Sequence, residues 1–590
     1  MNEYSREKIK LRMLKRIASL WDIPDVEHID PVVRLLIEAM AEEIFLLAGE
    51  ISQLDDRMLA KLSLSMTPVD YLAARPAHAL LSAIPTDAAV VVDSDTVFEY
   101  KESRLLRKYN LNSIRFTPIV PYELIRARIA SVCIGNRLYK CDRECRKNLV
   151  ALAGEEDGRS ANVVWIGVEL LPEAGGMHDL SLYFDFTAID DKSRYLRLLP
   201  YARWTADGKE AEVVQGLGGE AQNADLRSLY DLHYLTLRGI DTDRRKKYPE
   251  EWESSYSREG LSTLTTPVLW IKAVFPDSVP GDVLDTLKVG INLFPVANLS
   301  RRTMTRKMTD VSMFMPLDIG KNEYFVGIES VRDSSGRVYE PLSQEDAAAS
   351  TVKGTYSLRR GGVELYSHTN DAKSAILRLL DIIADRHLFS NNRAEVEFEQ
   401  IVNKILALTD KVSNIAGNLD GENEPKSYIV VDKSNAGETL MVDYRVTNGE
   451  VINNFRPAAP LFVNNRSAAL EEGIYFLTPV RGGTPSPTID RVKDLHRYLL
   501  TSHDRIFTKQ DILNFCKAEY GPYISDIGIK SGVAISPKPS QGVMKTIDVH
   551  IRRASGSFAG LSDEEFREGL KCKLERRSPE TFNYRIFITN

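Results

Sequence analysis

Long apolar runs are absent from this chain of 590 residues. No stretch reaches the roughly 20 uninterrupted apolar residues that a membrane-spanning helix needs. The opening residues, MNEYSREKIKLRMLKR, also lack the apolar segment of a secretory signal. The sequence therefore predicts a cytosolic protein.

Cysteine is scarce as well. The chain has five cysteines, of which Cys133, Cys141 and Cys145 lie close together in sequence while Cys516 and Cys572 stand apart. An odd and sparse set does not make a disulfide framework. The first three include no Cys-x-x-Cys pair and have no histidine nearby, so reduced thiols are favoured over a zinc site. We expect no bound metal.

An excess of positive charge is missing too. The formal net charge is -7, and hydrophobic and charged residues make up 43% and 27% of the chain, which is ordinary globular usage. Because no net positive field attracts a polyanion, we expect no nucleic-acid partner. The length exceeds what one core sustains, so three or four domains are expected.

Signatures of catalysis are also missing. The sequence has no GxxxxGK[ST] loop, no GxGxxG between strand and helix, no HExxH and no GxSxG elbow. We expect a protein that is not an enzyme and that binds no cofactor. One alternative stays open, because acidic pairs such as Asp93 with Asp95 would suit a carbohydrate-active enzyme on a β-rich scaffold.

The strongest periodic signal lies in residues 31–64, where apolar side chains recur at alternate steps of four and three, the a/d spacing of a coiled coil. The eight residues are Val33, Ile37, Met40, Ile44, Leu47, Ile51, Leu54 and Met58. Asp30 followed by Pro31 is a start signal for this helix. We predict that the eight residues bind a partner in a bundle or coiled coil. The alternative is a core helix within one domain, which Leu36 and Phe45 favour because they widen the apolar face.

The period changes near residue 76. Segments such as 78–84, 88–100, 162–170 and 179–186 are alternating or β-branched, and turn residues separate them. We therefore predict a multidomain α+β fold with long N-terminal helices, a β-rich middle and a small C-terminal α+β module.

Four domains are predicted. They are an N-terminal helical bundle region (1–75), a β-rich wing domain (76–345), a mixed helical/β domain (346–480) and a C-terminal α+β module (481–590). The third contains an apolar helical block at 372–417, and the fourth contains two capping-box patterns, Thr508 with Asp511 and Ser562 with Glu565.

Residues 291–302, INLFPVANLSRR, place an apolar run directly before basic residues. We interpret Ile291 to Val296 as an inner strand and the basic residues after it as a loop that meets an acidic neighbour. Arg301 and Arg302 are therefore further candidates for partner binding, since charge pairs at interfaces set partner choice and register. An ordinary strand with a solvated loop is the alternative.

Two stretches resemble the TssF (VasA/ImpG) family of type VI secretion baseplate subunits. The matching residues of the first are Asp30, Pro31, Val33, Arg34, Leu35 and Leu36, followed by Pro68 and Pro76. Those of the second are Pro295, Val296, Asn298, Leu299, Arg301, Ile328, Ser330 and Val331. The two matches cover residues 25–85 and 285–342. Residues 485–590 depart from that family and look more like the C-terminal module of phage baseplate-J-type wedge proteins.

This resemblance implies a structural role. A wedge subunit of this family would join TssG, TssK and TssE around a VgrG-like spike, would occur with a second copy of itself in the wedge, and would nucleate tail assembly. It would work in the cytoplasm, docked at the inner membrane only indirectly through a membrane complex. The departure at the C-terminus leaves open a wedge protein of a phage tail or of an extracellular contractile injection particle.

Overall fold

The structure is a computed structural model of the chain. It describes residues 6–21, 30–45, 67 and 69–589. Within the last range it leaves out 112, 155–160, 173–178, 188, 190, 220–222, 242–243, 309–313, 321, 343–353, 362–425, 432–436, 457–460, 464–469, 471–472, 537–541 and 555–560. The predicted helical block at 372–417 lies outside the described residues.

Eleven α-helices occur in the described part of the chain, and most of them are short. They are α1 (Arg6–Leu20), α2 (31–45), α3 (Val69–Leu72), α4 (Ser103–Tyr109), α5 (Lys192–Leu196), α6 (Ala224–Asp231), α7 (Arg258–Ser262), α8 (Gly281–Asp285), α9 (Ile489–Ser502), α10 (Lys509–Tyr520) and α11 (Asp563–Arg577).

Strands dominate the rest of the described chain. The first fifteen are β1 (His78–Ser82), β2 (Ala89–Val92), β3 (Phe98–Tyr100), β4 (Ile114–Pro118), β5 (Tyr122–Ile125), β6 (Ala127–Ile134), β7 (Arg137–Cys141), β8 (Lys147–Leu152), β9 (Val163–Leu170), β10 (Asp179–Phe186), β11 (Arg203–Ala206), β12 (Lys209–Glu210), β13 (Glu212–Gln215), β14 (Tyr234–Arg238) and β15 (Leu269–Val274). The others are β16 (Leu287–Ile291), β17 (Leu293–Ala297), β18 (Ser300–Lys307), β19 (Phe314–Pro316), β20 (Tyr324–Asp333), β21 (Glu340–Pro341), β22 (Thr355–Gly361), β23 (Lys426–Val431), β24 (Thr439–Thr447), β25 (Phe462–Val463), β26 (Tyr475–Phe476), β27 (Ile524–Ile535), β28 (Val543–Arg553) and β29 (Tyr584–Thr589).

A seven-stranded sheet (β12-β11-β15-β9-β6-β7-β8) and a four-stranded sheet (β13-β14-β10-β16) share one apolar core. Alternate side chains of the strands point into this core, including Ile166 and Val168 from β9 and Leu182 and Phe184 from β10. A period of two buries one face of each strand, so the two inner faces meet as in a β-sandwich.

The apolar run before the arginines divides between two sheets. Strand β16 ends at Ile291 in the four-stranded sheet, and β17 begins at Leu293 in a six-stranded sheet of order β25-β3-β4-β17-β1-β26. Asn292 lies between them at φ +58°, a left-handed conformation that asparagine tolerates. The side-chain oxygen of Asn292 accepts a hydrogen bond from the Ile125 N–H at 2.9 Å, and its side-chain NH₂ group donates to the Ile125 carbonyl at 2.6 Å. The prediction of an inner strand is confirmed for β17, which is buried throughout.

Strand β24 lies between β18 and β20 in a three-stranded sheet. The sequence predicts a hairpin at 323–342, and the turn is present with Gly336 at φ +86°. The second strand is nevertheless short, since β21 covers only Glu340–Pro341 and pairs with β22 in another sheet. The long partner of β20 is β24.

The C-terminal part has its own apolar core. Phe566, Leu570 and Leu574 on α11 are fully buried and pack with residues of α9, α10 and the sheet β27-β28-β29. Both predicted capping boxes are present, because the Thr508 hydroxyl accepts the Asp511 N–H at 3.2 Å and the Ser562 hydroxyl accepts the Glu565 N–H at 3.3 Å.

The predicted α+β fold class, with long N-terminal helices that form a bundle or coiled coil, is wrong. The described chain is β-rich, and its N-terminal helices, α1 and the described α2, are short. The apolar repeat of 31–64 indicates which face of a helix is apolar, but the same repeat is compatible with a short surface helix. The four domain boundaries stay predictions.

Candidate partner-binding surface

Helices α1 and α2 pack against each other through a small core. Leu14 of α1 and Ile37 of α2 are each 3% exposed and pack with Met13, Ile17 and Val33. The Lys10 ammonium forms an ion pair with the Glu38 carboxylate at 2.5 Å. These contacts use the side of α2 that carries Val33, Ile37 and Ala41, which recur at steps of four.

The start of α2 follows from its sequence. The Asp30 carboxylate accepts a hydrogen bond from the Val32 N–H at 2.8 Å, which satisfies one of the free N–H groups of the first turn. Pro31 occupies the first helical position, where a missing N–H costs nothing. The predicted start signal is confirmed.

A second row of apolar side chains on α2 points to solvent. Val32, Leu36, Met40 and Ile44 recur at steps of four, and Val32 and Leu36 are 71% and 58% exposed. The exposed large apolar residues of α1, α2 and the residue after α1 are Leu11, Leu20, Trp21, Val32, Leu35, Leu36, Met40, Ile44 and Phe45. Single exposed apolar residues are common, but a contiguous row marks an interaction surface. We call the row Val32, Leu36, Met40 and Ile44, with Leu35 beside it, the N-terminal apolar face.

The eight predicted seam residues do not share one environment. Val33 and Ile37 face α1, whereas Met40 and Ile44 are 49% and 38% exposed. Leu47, Ile51, Leu54 and Met58 lie outside the described residues. Partner binding by these eight residues stays a prediction, and within the described residues Met40 and Ile44 are the ones that lie on the N-terminal apolar face.

Arg301 and Arg302 lie on strand β18 rather than in a loop. The Arg301 guanidinium contacts the Asp443 carboxylate at 3.2 Å and the Glu329 carboxylate at 3.2 Å. The Arg302 guanidinium contacts the Glu323 carboxylate at 2.6 Å. Both arginines therefore have acidic partners within this chain, although their side chains remain 49% and 41% exposed. Their role in docking stays a prediction.

Asp443 on β24 is the centre of this group and is 2% exposed. Its carboxylate accepts hydrogen bonds from the Thr303 hydroxyl at 2.6 Å, the Ser330 hydroxyl at 2.9 Å and the Arg332 guanidinium at 2.6 Å. Burial alone would raise the pKa of Asp443, but these bonds and the one from Arg301 lower it well below its ordinary value. Asp443 therefore holds the three strands together as a buried anion.

A charged cavity of about 300 Å³ lies where the C-terminal part meets the β-rich body. The Glu519 carboxylate of α10, 7% exposed, binds the Arg75 guanidinium and the Lys573 ammonium. Further ion pairs join the two parts of the chain. They are Arg576 and Arg577 with Asp225, Lys571 with Asp191, Lys192 with Glu568, Arg197 with Glu575, and Arg481 with Glu565.

Two carboxylates in this cavity share one lysine. The Lys192 ammonium lies 3.0 Å from the Asp185 carboxylate and 3.4 Å from the Glu568 carboxylate. Burial raises the pKa of Glu568 to about 7, and the nearby Asp185 adds to the rise while Lys192 opposes it. Glu568 can therefore hold a proton near neutral pH.

His78 lines the same cavity. Its Nδ1 lies 2.8 Å from the Tyr230 hydroxyl. Burial lowers the pKa of His78 to about 4, and Lys573 adds to the effect. The imidazole is therefore neutral at neutral pH, and it serves as a hydrogen-bonding group rather than as a charge.

No group of three or more His, Cys, Asp and Glu side chains in the described chain could hold a metal ion. None of the described helices is long and apolar enough to cross a bilayer.

Comparison with known proteins gives a likeness to chains of solved structures. No family model matches the chain, and no curated protein matches it. A chain of the solved "Structure of the type VI secretion system TssK-TssF-TssG baseplate subcomplex revealed by cryo-electron microscopy" is similar, at 14% identity over 94% of this chain and 96% of that chain. The TM-score is 0.44.

Sequence reasoning missed the charged junction between the C-terminal part and the body. Its partners lie far apart in the chain, as with Arg75 and Glu519, and no local pattern marks them. For the N-terminal apolar face a signal was present, because Leu36 and Phe45 lie beside the seam and widen its apolar side.

Proposed function

We propose that this chain is a structural subunit of the baseplate of a contractile injection machine of the type VI secretion kind. The observation that carries the proposal is the N-terminal apolar face, which leaves a row of large side chains in solvent on a helix whose other side is already covered by α1. Burial of such a row against another subunit would recover roughly 25 cal/mol per Å² of apolar surface. A chain whose role is assembly needs a surface of this kind.

The residues that resemble the TssF family support the same proposal. One matching stretch includes Leu35 and Leu36, which lie on the N-terminal apolar face, and the other includes Arg301 on strand β18. We propose that the face docks against TssG or TssK, and that TssE, a VgrG-like spike and a second copy of the chain are further neighbours. The assembly would stand in the cytoplasm at the inner membrane, and the chain would have no catalytic role.

Introducing a charged side chain into the N-terminal apolar face tests the proposal. Leu36→Asp should leave a folded chain that no longer co-purifies with the products of neighbouring reading frames when they are expressed together. Leu500→Asp is a matched control, because Leu500 is also helical and is 56% exposed, against 58% for Leu36. Native mass measurement of the purified complexes gives the readout. Equal loss of partners in both variants, or in neither, would contradict the proposal.

The same experiment separates two related machines. A wedge protein of a phage tail or of an extracellular contractile injection particle would use the same face, but its co-purifying partners would be tail or particle proteins instead of TssG and TssK. The masses of the captured chains distinguish these outcomes.

A carbohydrate-active enzyme is the alternative of another class, and one observation favours it. Glu568, with its pKa raised to about 7, has the protonation behaviour of a general acid, and Asp185 is close through the shared Lys192. The purified chain and a Glu568→Gln variant should be assayed on a panel of polysaccharides. Hydrolysis by the natural chain that the variant lacks would support the enzyme and overturn the purely structural role.

A further inference from the structure

A second cavity, of about 380 Å³, opens beside the seven-stranded sheet. Strand β6 and the end of β7 form one side of it, and residues 263–266 after α7 and the corner at Asn292 between β16 and β17 form the rest. It shares no lining residue with the cavity beside Glu519. A concave site of this volume is typical of sites that bind small molecules.

The lining of this cavity is positively charged. Four cations and two carboxylates contribute to it, so its net charge is +2, whereas the whole chain carries -7. The six residues are Arg128, Lys140, Arg143, Lys247, Asp142 and Glu169. Because a concave surface concentrates the field of its charges, the cavity attracts anions although the chain as a whole is acidic.

Both carboxylates of the lining already have partners. Glu169 on β9 lies opposite Arg128 on β6, and the two side chains form an ion pair at 2.8 Å. The Asp142 carboxylate accepts hydrogen bonds from the Glu144 N–H at 2.9 Å and the Arg146 N–H at 2.8 Å, which closes the turn after β7. These two acidic groups therefore serve the local structure of the cavity wall.

The other three cations are in a different position. Lys140, Arg143 and Lys247 form no ion pair with any carboxylate that the structure describes. Lys247 ends the basic run 244–247, in which Arg244, by contrast, contacts the Asp207 carboxylate at 2.6 Å. Cations that line one cavity from separate segments of the chain are stabilised by an anion placed between them.

Hydroxyl groups accompany these cations. Ser131 lies opposite Lys140 in the pairing of β6 with β7, so their side chains are on the same face of the sheet. The pairing of β6 with β9 is irregular between Ile129 and Ser131, and a bulge of this kind redirects the side chains beside it. Thr265 and Thr266 line the cavity from the loop after α7. Hydroxyl, lysine and arginine donors together are the groups that bind phosphate oxygens in proteins.

We propose that this cavity binds a small organic molecule that carries a phosphate group. A phosphate monoester has a charge of about -1.5 to -2 near neutral pH and three strong acceptor oxygens, which matches the net charge of the lining. Lys140, Arg143 and Lys247 hold the phosphate, and the hydroxyls donate to its oxygens. Ala127 and Ile291 belong to the lining as well and contact the organic part of the ligand.

Two matched ligands test the charge that the cavity selects. The purified full chain is titrated by calorimetry with phenyl phosphate and with phenyl sulfate, which has the same ring and a similar tetrahedral group but only one negative charge. We expect phenyl phosphate to bind at least about tenfold more tightly, because its second charge meets unpaired cations. Equal affinity for the two ligands, or no saturable binding of phenyl phosphate, would overturn the proposal.

Substitution of two lysines places the binding in this cavity. Lys140→Ala on β7 and Lys247→Ala before β15 should each weaken phenyl phosphate binding by at least about fivefold, because each removes a charged donor. Lys209→Ala is the matched control, since Lys209 is also exposed and lies on β12, at the other end of the same sheet. Thermal unfolding should be alike for all three variants. Equal weakening in the control, or unchanged affinity in both cavity variants, would contradict the assignment.

An acidic peptide is the other anion that a positive cavity attracts. Hexaglutamate is therefore titrated in parallel with phenyl phosphate. We expect the peptide to bind more weakly, since its charges are spread along a chain that a closed-in cavity of this volume does not accommodate. Tighter binding of the peptide that Lys140→Ala and Lys247→Ala both abolish would assign the cavity to a protein partner and overturn the phosphate ligand.

This inference does not depend on the proposed function. Ligand binding is measured on the chain alone, so its failure would leave the N-terminal apolar face and its docking role untouched. Conversely, Leu36→Asp should leave the affinity for phenyl phosphate unchanged, because Leu36 is not part of the cavity.

Discussion

The N-terminal and C-terminal parts of this chain differ in how much of their apolar surface they bury. The N-terminal helices α1 and α2 share a core of a few side chains and leave a row of large apolar residues in solvent. The C-terminal part encloses Phe566, Leu570 and Leu574 in its own core and meets the body through ion pairs. The difference teaches that apolar residues alone do not define an interaction surface, since what matters is which ones the chain leaves uncovered.

The largest expected effect compares one residue from each end. Phe566 is fully buried and its ring lies 4.7 Å from that of Tyr520, so Phe566→Ala should cost about 3–5 kcal/mol of unfolding free energy. Leu36→Ala, at a side chain 58% exposed, should stay within about 0.5 kcal/mol. Denaturant unfolding of both variants gives the comparison. Similar losses at the two sites would show that α2 is covered in the isolated chain.

The next effect concerns the ion pairs around Glu519, where the C-terminal part meets the β-rich body. Glu519→Gln leaves the Arg75 and Lys573 cations with a neutral partner in a buried site, and loss of one member of a buried ion pair costs about 3 kcal/mol or more. We expect the C-terminal part to separate from the body, which would expose new cleavage sites in limited proteolysis. Lys246→Gln, at an exposed ion pair with Glu250, is the control and should leave the cleavage pattern unchanged.

Acid should weaken the same junction in two separate ranges of pH. His78 has its pKa lowered from 6.5 to about 4, so the unfolded chain binds the proton first and stability falls as the pH drops from 6.5 toward 4. This loss of stability is complete at pH values below the pKa of His78 in the folded chain. His78→Gln should flatten this range in unfolding curves recorded at stepped pH, and an unchanged slope would show that His78 is not responsible.

Glu519 acts in the lower range. Burial opposes its ionisation, but Arg75 and Lys573 outweigh burial and hold its pKa well below the ordinary value. The stability that Glu519 contributes is therefore fully present above the pKa of a carboxyl group in the unfolded chain, near 4.3. It is lost as the pH falls through the lower pKa that Glu519 has in the folded chain. The Glu519→Gln variant should lack this acid-sensitive part while keeping the slope that His78 produces.

The smallest effect distinguishes a docking arginine from a structural one. Arg302→Ala removes a half-exposed ion pair with Glu323 and should cost about 1 kcal/mol or less. If Arg302 also binds a partner, co-purification should fall while thermal unfolding hardly changes. Arg306→Ala, on the same strand, serves as the control. Loss of partners in both variants would point to the whole basic strand rather than to Arg302.

Local signals in the sequence were reliable where the structure depends on neighbours in the chain. The capping pair Thr508 with Asp511 and the start of α2 at Asp30 were predicted, because a cap needs only residues within one turn. Strands β9 and β10 were predicted because residues 162–170 and 179–186 are alternating or β-branched and lie between turn residues. The fold class was not, since an apolar repeat defines a face and says nothing about how far a helix extends or what covers it.

By itself, the sequence determined several strands of the β-rich body, among them β1, β9 and β10, the buried strand before the arginines and the apolar character of α2. Each of these depends on periodicity or on residues a few positions apart. Only the tertiary structure decided that Val33 and Ile37 turn toward α1 while Leu36 and Met40 remain in solvent. It also decided that Arg301 forms an ion pair with Asp443 and that Arg75 forms one with Glu519. The physical reason is that burial and ion pairing depend on which residues are close in three dimensions. When two partners are more than a hundred positions apart, no local sequence pattern indicates that they pair.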